Sequence, residues 1–257
     1  MKELLLALPA GRDTRGRAFG LTPAHMAYRI GPGPRLLGIR LPQGLRGGLM
    51  QVDCAGFDGA GDPVDCCRQI LGECRRRSFR GIVCDFEGPP NRCLSRLAEI
   101  LDRNCAAQGW TLYVPEGYAD HAPRARVLIP SALTHGSLER RLRDAAGRYG
   151  QGRAALAVEW VREDLPLPAQ GRGEPVSQEA LEEMLRRLEP AVFFDRGLCA
   201  HYFTYMQGPQ AHFVLFDSPR SIREKLELAK RLGLASALLP EPEVEDRLEE
   251  IFGPDGG

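Results

Sequence analysis

Two carboxylates stand two residues apart at the end of one apolar segment of this chain. Asp85 and Glu87 follow the apolar residues 82–84, and Phe86 lies between them. Side chains alternate along a β-strand, so both acids would project from one face and Phe86 from the other. Neighbouring carboxylates can keep one of the pair protonated, which suits acid–base chemistry at a glycosidic bond. Asp85 and Glu87 are therefore the candidate catalytic residues, although the pattern also fits a strand end with two solvated acids.

Short apolar runs alternate along the chain with amphipathic segments, an order typical of a mostly parallel sheet, open or closed. The pattern predicts eight strands, over residues 4–8, 35–41, 48–54, 81–86, 111–115, 126–130, 154–160 and 235–239. It predicts helices over residues 63–77, 92–108, 137–149 and 221–232. Glycine-rich and proline-rich links separate the first three strands, so the early helices are expected to be missing or rudimentary.

One region interrupts this alternation. Residues 162–217 contain a loop rich in proline and glycine, a helix near 178–188, and two aromatic runs separated by the turn 207–210. Two β-prone runs around a Gly-Pro turn predict a hairpin. Because a final helix and strand follow, we interpret the chain as a single domain over 1–257 with an insertion at 162–217.

Composition and charge exclude several classes of function. The 257 residues carry 34 basic and 34 acidic side chains, so no overall field would recruit nucleic acid or an anionic membrane. No apolar run approaches the roughly 20 residues that span a bilayer. Eight cysteines are scattered through apolar and helical segments without a C-x-x-C pair, which favours free thiols, a cytoplasmic location and no zinc site.

Residues 80–87 resemble the D-x-x-D-x-D-x-E motif on the fourth strand of glycoside hydrolase family 18. Asp85 and Glu87 match its last two acids, whereas Arg80 and Val83 stand where the first two would be. Residues 217–225, with Asp217, Ser221 and Lys225 each four residues apart, are similar to an Asp-Ser-Lys segment that precedes the eighth strand in the small spore-associated bacterial branch of that family. The resemblance implies an α/β (β/α)8 TIM barrel, irregular in its first three units, with an α+β hairpin insertion after strand 7.

The resemblance also implies a reaction. Glu87 would be the general acid that protonates the leaving-group oxygen. Asp85 would position the substrate's acetamido group, whose carbonyl oxygen is the nucleophile in this substrate-assisted scheme. The implied substrate is a β-linked N-acetylglucosamine glycan, with peptidoglycan more plausible than chitin, and no cofactor is required.

The family's sixth strand carries a tyrosine that binds the acetamido carbonyl, and the sixth predicted strand here has none. Tyr113 and Tyr118, on or after the fifth predicted strand, are candidates to replace it. Other polar residues near predicted strand ends are further candidates for contact with substrate. The complete set of candidate substrate-binding residues is Tyr113, Glu116, Tyr118, Ser131, Glu159 and Asp164.

Two other interpretations stay open on the residues alone. The chain could be a barrel that kept the fold and lost the chemistry, binding a glycan or a protein partner. It could also be an unrelated barrel enzyme that uses Glu87, Glu116 and Glu159 as a metal or acid–base cluster. The sequence does not indicate the oligomeric state.

Overall fold

A computed structural model describes residues 1, 3–9, 12, 15–168 and 173–253. In this part of the chain the strands are β1 (Glu3–Pro9), β2 (Thr22–Gly31), β3 (Arg35–Gly38), β4 (Leu49–Asp53), β5 (Gly81–Asp85), β6 (Thr111–Pro115), β7 (Arg126–Pro130), β8 (Ala154–Ala157), β9 (Arg162–Pro166), β10 (Glu174–Pro175), β11 (Phe193–Asp195), β12 (Ala200–Gln207), β13 (Gln210–Phe216) and β14 (Ser236–Pro240). The helices are α1 (Val64–Arg77), α2 (Arg92–Gln108), α3 (Leu138–Tyr149), α4 (Gln178–Leu188), α5 (Pro219–Arg231), α6 (Glu241–Val244) and α7 (Leu248–Phe252).

Eight parallel strands close into a barrel. Their order around it is β1, β2, β4, β5, β6, β7, β8 and β14, and β14 pairs again with β1. The fold class predicted from the sequence, an α/β (β/α)8 barrel, is confirmed. The carboxyl ends of all eight strands therefore meet at one rim, which we call the barrel mouth and where barrel enzymes carry their active sites.

The first units of the barrel are irregular, as predicted. A 3₁₀ turn at Arg15–Phe19 follows β1, and β3 follows β2 where a regular barrel has a helix. The predicted second strand at 35–41 was wrong, because Arg35–Gly38 pairs antiparallel with β2, which is the second barrel strand. Pro23, His25 and Arg29 interrupt the apolar pattern of β2, and this concealed the strand.

Helix ends follow local chemistry. Asn91 precedes α2 and its side chain accepts a hydrogen bond from the Leu94 backbone N–H at 2.9 Å. Gly109 ends the same helix with a positive φ of 68°, a conformation that costs glycine little. The chain then enters β6 two residues later, so α2 is held antiparallel to the barrel strands on either side of it.

The interior of the barrel is filled by an apolar layer with one aromatic ring. Small residues on some strands offset the Tyr113 ring, the usual way to fill a closed barrel. This layer comprises Leu5, Ala24, Leu49, Val83, Tyr113, Leu128 and Ala155. The residue in the position of the motif's second acid, Val83, is thus part of an apolar layer and is 1% exposed.

The strands β9 to β13 form a second, antiparallel sheet in the order β10, β9, β13, β12 and β11. The predicted hairpin is confirmed by β12 and β13, which pair from His201–Phe216 to Gln207–Gln210. One face of the sheet packs against α4. Leu165 and Leu215 lie on the other face, against Ala132 and Leu133 at the end of β7. Residues 169–172 of the predicted insertion lie outside the described residues.

Asp217, Ser221 and Lys225 form a buried clamp at the start of α5. The Lys225 Nζ lies 2.6 Å from Asp217 Oδ2, and the Ser221 hydroxyl donates to Asp217 Oδ1 at 2.6 Å. Asp217 also accepts a hydrogen bond from the Val161 backbone N–H at 2.8 Å. The predicted helix before the eighth strand is confirmed, and its first turn joins the two ends of the second sheet's segment.

No helix in the described part of the chain is long and apolar enough to cross a membrane.

All eight cysteines are unpaired, as the sequence predicted. Seven are buried, and burial raises the pKa of Cys66 to about 12, so its thiol is unreactive at neutral pH. The cytoplasmic location itself stays a prediction.

Candidate active site

Asp85 is the last residue of β5 and faces the barrel interior just below the mouth. It is half-buried, and its Oδ2 accepts a hydrogen bond from Gln51 Nε2 at 2.9 Å. Burial raises the pKa of Asp85, and the negative charges of Glu87 and Asp53 act in the same direction. The hydrogen bond from Gln51 acts against them, because it favours the carboxylate. Asp85 is thus a carboxyl group with a shifted pKa at the place where barrel enzymes do chemistry.

Glu87 lies in the loop that follows β5 and is exposed to solvent. Phe86, between the two acids, is 3% exposed and contacts Tyr118 edge to face, with ring centroids 5.3 Å apart. The backbone therefore turns Phe86 into the core outside the barrel. The arrangement leaves one acid held at the wall of the mouth and one acid free to reach a ligand.

A third carboxylate, Asp53, stands beside this pair and was missed by sequence reasoning. Asp53 ends β4 and is the register partner of Asp85 on β5. Its Oδ1 accepts hydrogen bonds from Arg29 Nε at 2.6 Å and from the Ala55 backbone N–H at 2.9 Å. Arg29 thus compensates the charge of Asp53. The available signal was the alternation of Gln51 and Asp53 at the end of β4, which matches that of Val83 and Asp85 on the next strand.

Tyr113 does not lie at the mouth. Its hydroxyl is 3.0 Å from Glu3 Oε2 and 2.5 Å from Arg126 Nη1, at the amino-terminal ends of β1 and β7. Burial raises the pKa of Tyr113 to about 12. The structure therefore places this candidate in a polar plug at the opposite end of the barrel from Asp85, and its hydroxyl cannot serve the acetamido group.

Tyr118 and Glu116 lie outside the barrel wall. Tyr118 is 1% exposed within the core beneath α1 and α2. Glu116 forms an ion pair with Arg141 on α3, in which Arg141 Nη1 lies 3.3 Å from Glu116 Oε1. Neither residue is brought to Asp85, because the 3₁₀ turn after β6 directs both side chains toward helices.

Ser131 and Glu159 connect the ends of two neighbouring barrel strands. The Ser131 hydroxyl accepts a hydrogen bond from the Glu159 backbone N–H, and Glu159 Oε2 accepts one from the Ala132 N–H, both at 2.9 Å. Ser131 is 1% exposed, so it has a structural position. Glu159 lines a cleft of about 310 Å³ that lies across the mouth from Asp85. The wall of this cleft also includes Trp160, Arg162, Glu163 and Glu243.

Asp164 belongs to the second sheet. Its carboxylate is 2.9 Å from His212 Nδ1 and accepts the Tyr205 hydroxyl at 2.6 Å. Leu165 next to it faces the barrel mouth, so Asp164 lies on the opposite face of the sheet, the one covered by α4. Of the eight candidates, the structure brings Asp85 and Glu87 together and leaves Glu159 across the mouth.

The residues that the structure describes contain no group of three metal-ligating side chains suited to a metal ion. Glu116 and Glu159 are held by Arg141 and Ala132, so the proposed cluster of Glu87, Glu116 and Glu159 does not form. Among the described residues, the polar side chains around Asp85 are those of Glu87, Asp53 and Gln51, and Arg29 lies against Asp53.

No protein-family model and no curated protein sequence matches this chain. Solved structures do. The spore cortex-lytic enzyme SleL from Bacillus cereus superposes with a TM-score of 0.66 at 17% identity, over 98% of this chain and 75% of that one. A chitinase from Chromobacterium violaceum gives 0.63 at 18% identity, over 92% and 93%. A GH18 chitinase variant from Cycas revoluta, in complex with (GlcNAc)4, gives 0.61 at 14% identity, over 97% of each chain.

This chain shares the (β/α)8 barrel fold of these structures. Within that fold, Asp85 ends the fourth barrel strand and Glu87 lies in the loop that follows it. The second sheet follows the seventh strand, and α5 with its clamp precedes the eighth. At these identities the likeness establishes the fold and not the reaction.

Proposed function

We propose that this protein hydrolyses a β-linked glycan that contains N-acetylglucosamine, with Glu87 as the general acid. The observation that carries the proposal is the position of Asp85 and Glu87, at the carboxyl end of the fourth strand of a family 18-like barrel. The Cycas revoluta structure with that fold is bound to (GlcNAc)4, which supports the glycan class.

The two carboxyl groups take different roles because their surroundings differ. Glu87 is exposed and donates its proton to the glycosidic oxygen, while the substrate's acetamido carbonyl oxygen attacks the anomeric carbon. Asp85, at the wall of the mouth, accepts the acetamido N–H and so orients that nucleophile. Water then opens the cyclic intermediate and returns a proton to Glu87.

Small and rigid side chains line part of the barrel mouth, among them Pro115, Pro130, Ala157 and Pro240 at the ends of their strands. On the far side lies the cleft bounded by Trp160 and Glu159. Peptidoglycan or its fragments are the preferred substrate over chitin, since SleL, named as a spore cortex-lytic enzyme, is among the similar structures.

The first experiment compares wild-type protein with Glu87→Gln on chromogenic β-N-acetylglucosaminides and on peptidoglycan, with release of muropeptides as the readout. Removing a general acid lowers the rate by about 10²–10⁴-fold. Because Glu87 is exposed, the melting temperature should stay within about 1 °C of wild type. Glu249→Gln, an exposed acid on α7, is the matched control and should keep full activity. Equal activity in Glu87→Gln and wild type would disprove the assigned role.

A second function, glycan binding without hydrolysis, is favoured by one observation. Val83 occupies the apolar interior layer where the family motif has an acid, and Leu128 and Pro130 are the inward residues of the sixth strand, where the family has a tyrosine. If no hydrolysis is detected, calorimetric titration with GlcNAc oligomers tests this function. Binding that survives in Glu87→Gln would support it.

A further inference from the structure

We propose that Gln51 is the positioning residue of this site, holding the Asp85 carboxyl group against the barrel wall in place of the missing motif acid. The inference rests on the proposed function for its catalytic meaning, but the contact itself is a property of the fold. It assigns a role to a residue on a different strand from the motif.

The register of two strands places Gln51 below Asp85. Gln51 on β4 pairs with Val83 on β5, and Asp53 pairs with Asp85, so Gln51 is one pleat deeper than Asp85 on the same inner face. Its side chain is 5% exposed and donates from Nε2 to Asp85 Oδ2 at 2.9 Å. A hydrogen bond from below directs one carboxyl oxygen into the barrel, and the other oxygen is left for the mouth.

The groups around Asp85 give this hydrogen bond particular weight. Asp53 and Glu87 repel the charged form of Asp85, and Arg29 is engaged with Asp53. Gln51 is therefore the donor that favours the Asp85 carboxylate against both burial and its acidic neighbours. Without it, the Asp85 carboxyl group would lose its fixed orientation and take up a proton more readily.

The Gln51 amide has a second polar atom with no other use. Its Oε1 is buried and has no hydrogen-bond partner among the described residues. A rotated amide can present this acceptor to a protonated Asp85 and the NH₂ group to a charged one. Gln51 can thus hold Asp85 in both protonation states without titrating itself. An acid in the same role would share a proton and titrate together with Asp85.

The test is a titration of the Asp85 carboxyl carbon by ¹³C NMR in wild type, Gln51→Leu and Gln51→Glu. We expect Gln51→Leu, which removes the donor and keeps the volume, to raise the Asp85 pKa further, by about 1 unit. Gln51→Glu should convert a single titration step into two coupled steps. Met50→Leu, on the same strand but facing outward, is the control and should leave the curve unchanged. An unaltered Asp85 titration in Gln51→Leu would overturn the proposal.

Activity provides an independent readout and separates the two proposals. If wild type is active, Gln51→Leu should lower kcat by about 10²-fold and change KM far less, because orientation of the nucleophile is lost while the sugar pocket stays. If wild type is inactive, the hydrolase proposal fails, but the NMR titration still decides the role of Gln51. An active wild type with an unchanged kcat in Gln51→Leu would contradict the positioning role alone.

Discussion

At the scale of single residues, the site combines a local pattern with contacts that no local pattern contains. Asp85 and Glu87 could be selected from the sequence because alternation along one strand puts them on the same side. Gln51 lies 34 residues earlier and reaches Asp85 through strand register. Tyr113 has the right residue type, yet its ring fills the barrel interior and its hydroxyl points to Glu3. Strand register and side-chain direction depend on the closed barrel. The sequence therefore did not reveal the role of Gln51, and it suggested the wrong position for Tyr113.

The raised pKa of Asp85 has a measurable effect on stability. In the unfolded chain, an aspartate has its ordinary pKa of about 3.9. Between that pH and the raised pKa, the folded protein binds more protons than the unfolded one, so stability falls as pH rises through this window. Asp85→Asn removes the buried charge and should raise the melting temperature by about 2 °C or more at neutral pH.

Thermal unfolding followed by circular dichroism between about pH 3 and 8 would check this, since the gain should vanish below about pH 4. Asp120→Asn is the control, because the Asp120 side chain is 85% exposed. Its effect on the melting temperature should not depend on pH in this way. A gain in Asp85→Asn that is the same at every pH would mean that burial of charge is not its cause.

At the scale of elements, the agreement with the sequence follows the strength of the local signals. The predicted bounds of β6, β7 and α2 match the structure, because clear apolar periodicity ends at Asn, Gly or Pro. The helix α5 was predicted, but the contact that Asp217 makes before it was not. Its carboxylate binds Val161, 56 residues away, and so the start and end of the second sheet's segment are joined. This contact exists because the first and last residues of the insertion lie next to each other in the fold. The sequence of α5 alone does not indicate that proximity.

Removing one partner of the clamp at the start of α5 should cost much stability, because it leaves the other charge buried and unpaired. Lys225 and Asp217 are 1% and 0% exposed. Lys225→Met would leave the Asp217 charge buried with only hydrogen-bond donors, and removing one partner of a buried pair costs about 3–5 kcal/mol. Urea unfolding would measure the loss.

The same helix supplies the control for this experiment. Lys230 pairs with Glu227 at 3.4 Å on the exposed face of α5, and exposed pairs contribute about 0–1 kcal/mol. Lys230→Met should therefore change the free energy of unfolding very little. If the two lysine variants lose the same stability, the buried pair does not have the assigned weight.

At the scale of the whole molecule, the barrel wall is backed by two separate hydrophobic cores. One lies beneath α1 and α2 and includes Trp110 at its edge, and the other lies beneath α3 and α5 with Trp160 at its edge. The interior layer from Leu5 to Ala155 touches strands of both halves. Closure of β1 against both β2 and β14 gives neither half a free sheet edge.

Closure leads to a prediction about cooperativity, because a half-barrel would expose both an unpaired strand edge and its share of the interior layer. We expect the two halves to unfold together, although chains of this length often populate intermediates. The variants Trp160→Phe and Trp110→Phe each leave one tryptophan, which reports on one core. Urea transitions followed by tryptophan fluorescence should then have midpoints within about 0.3 M of each other once each variant's own stability is measured by circular dichroism. A larger separation between the fluorescence and circular dichroism midpoints in either variant would show that one half of the barrel opens first, and the half that carries Asp85 would then be the one to examine for motion during binding.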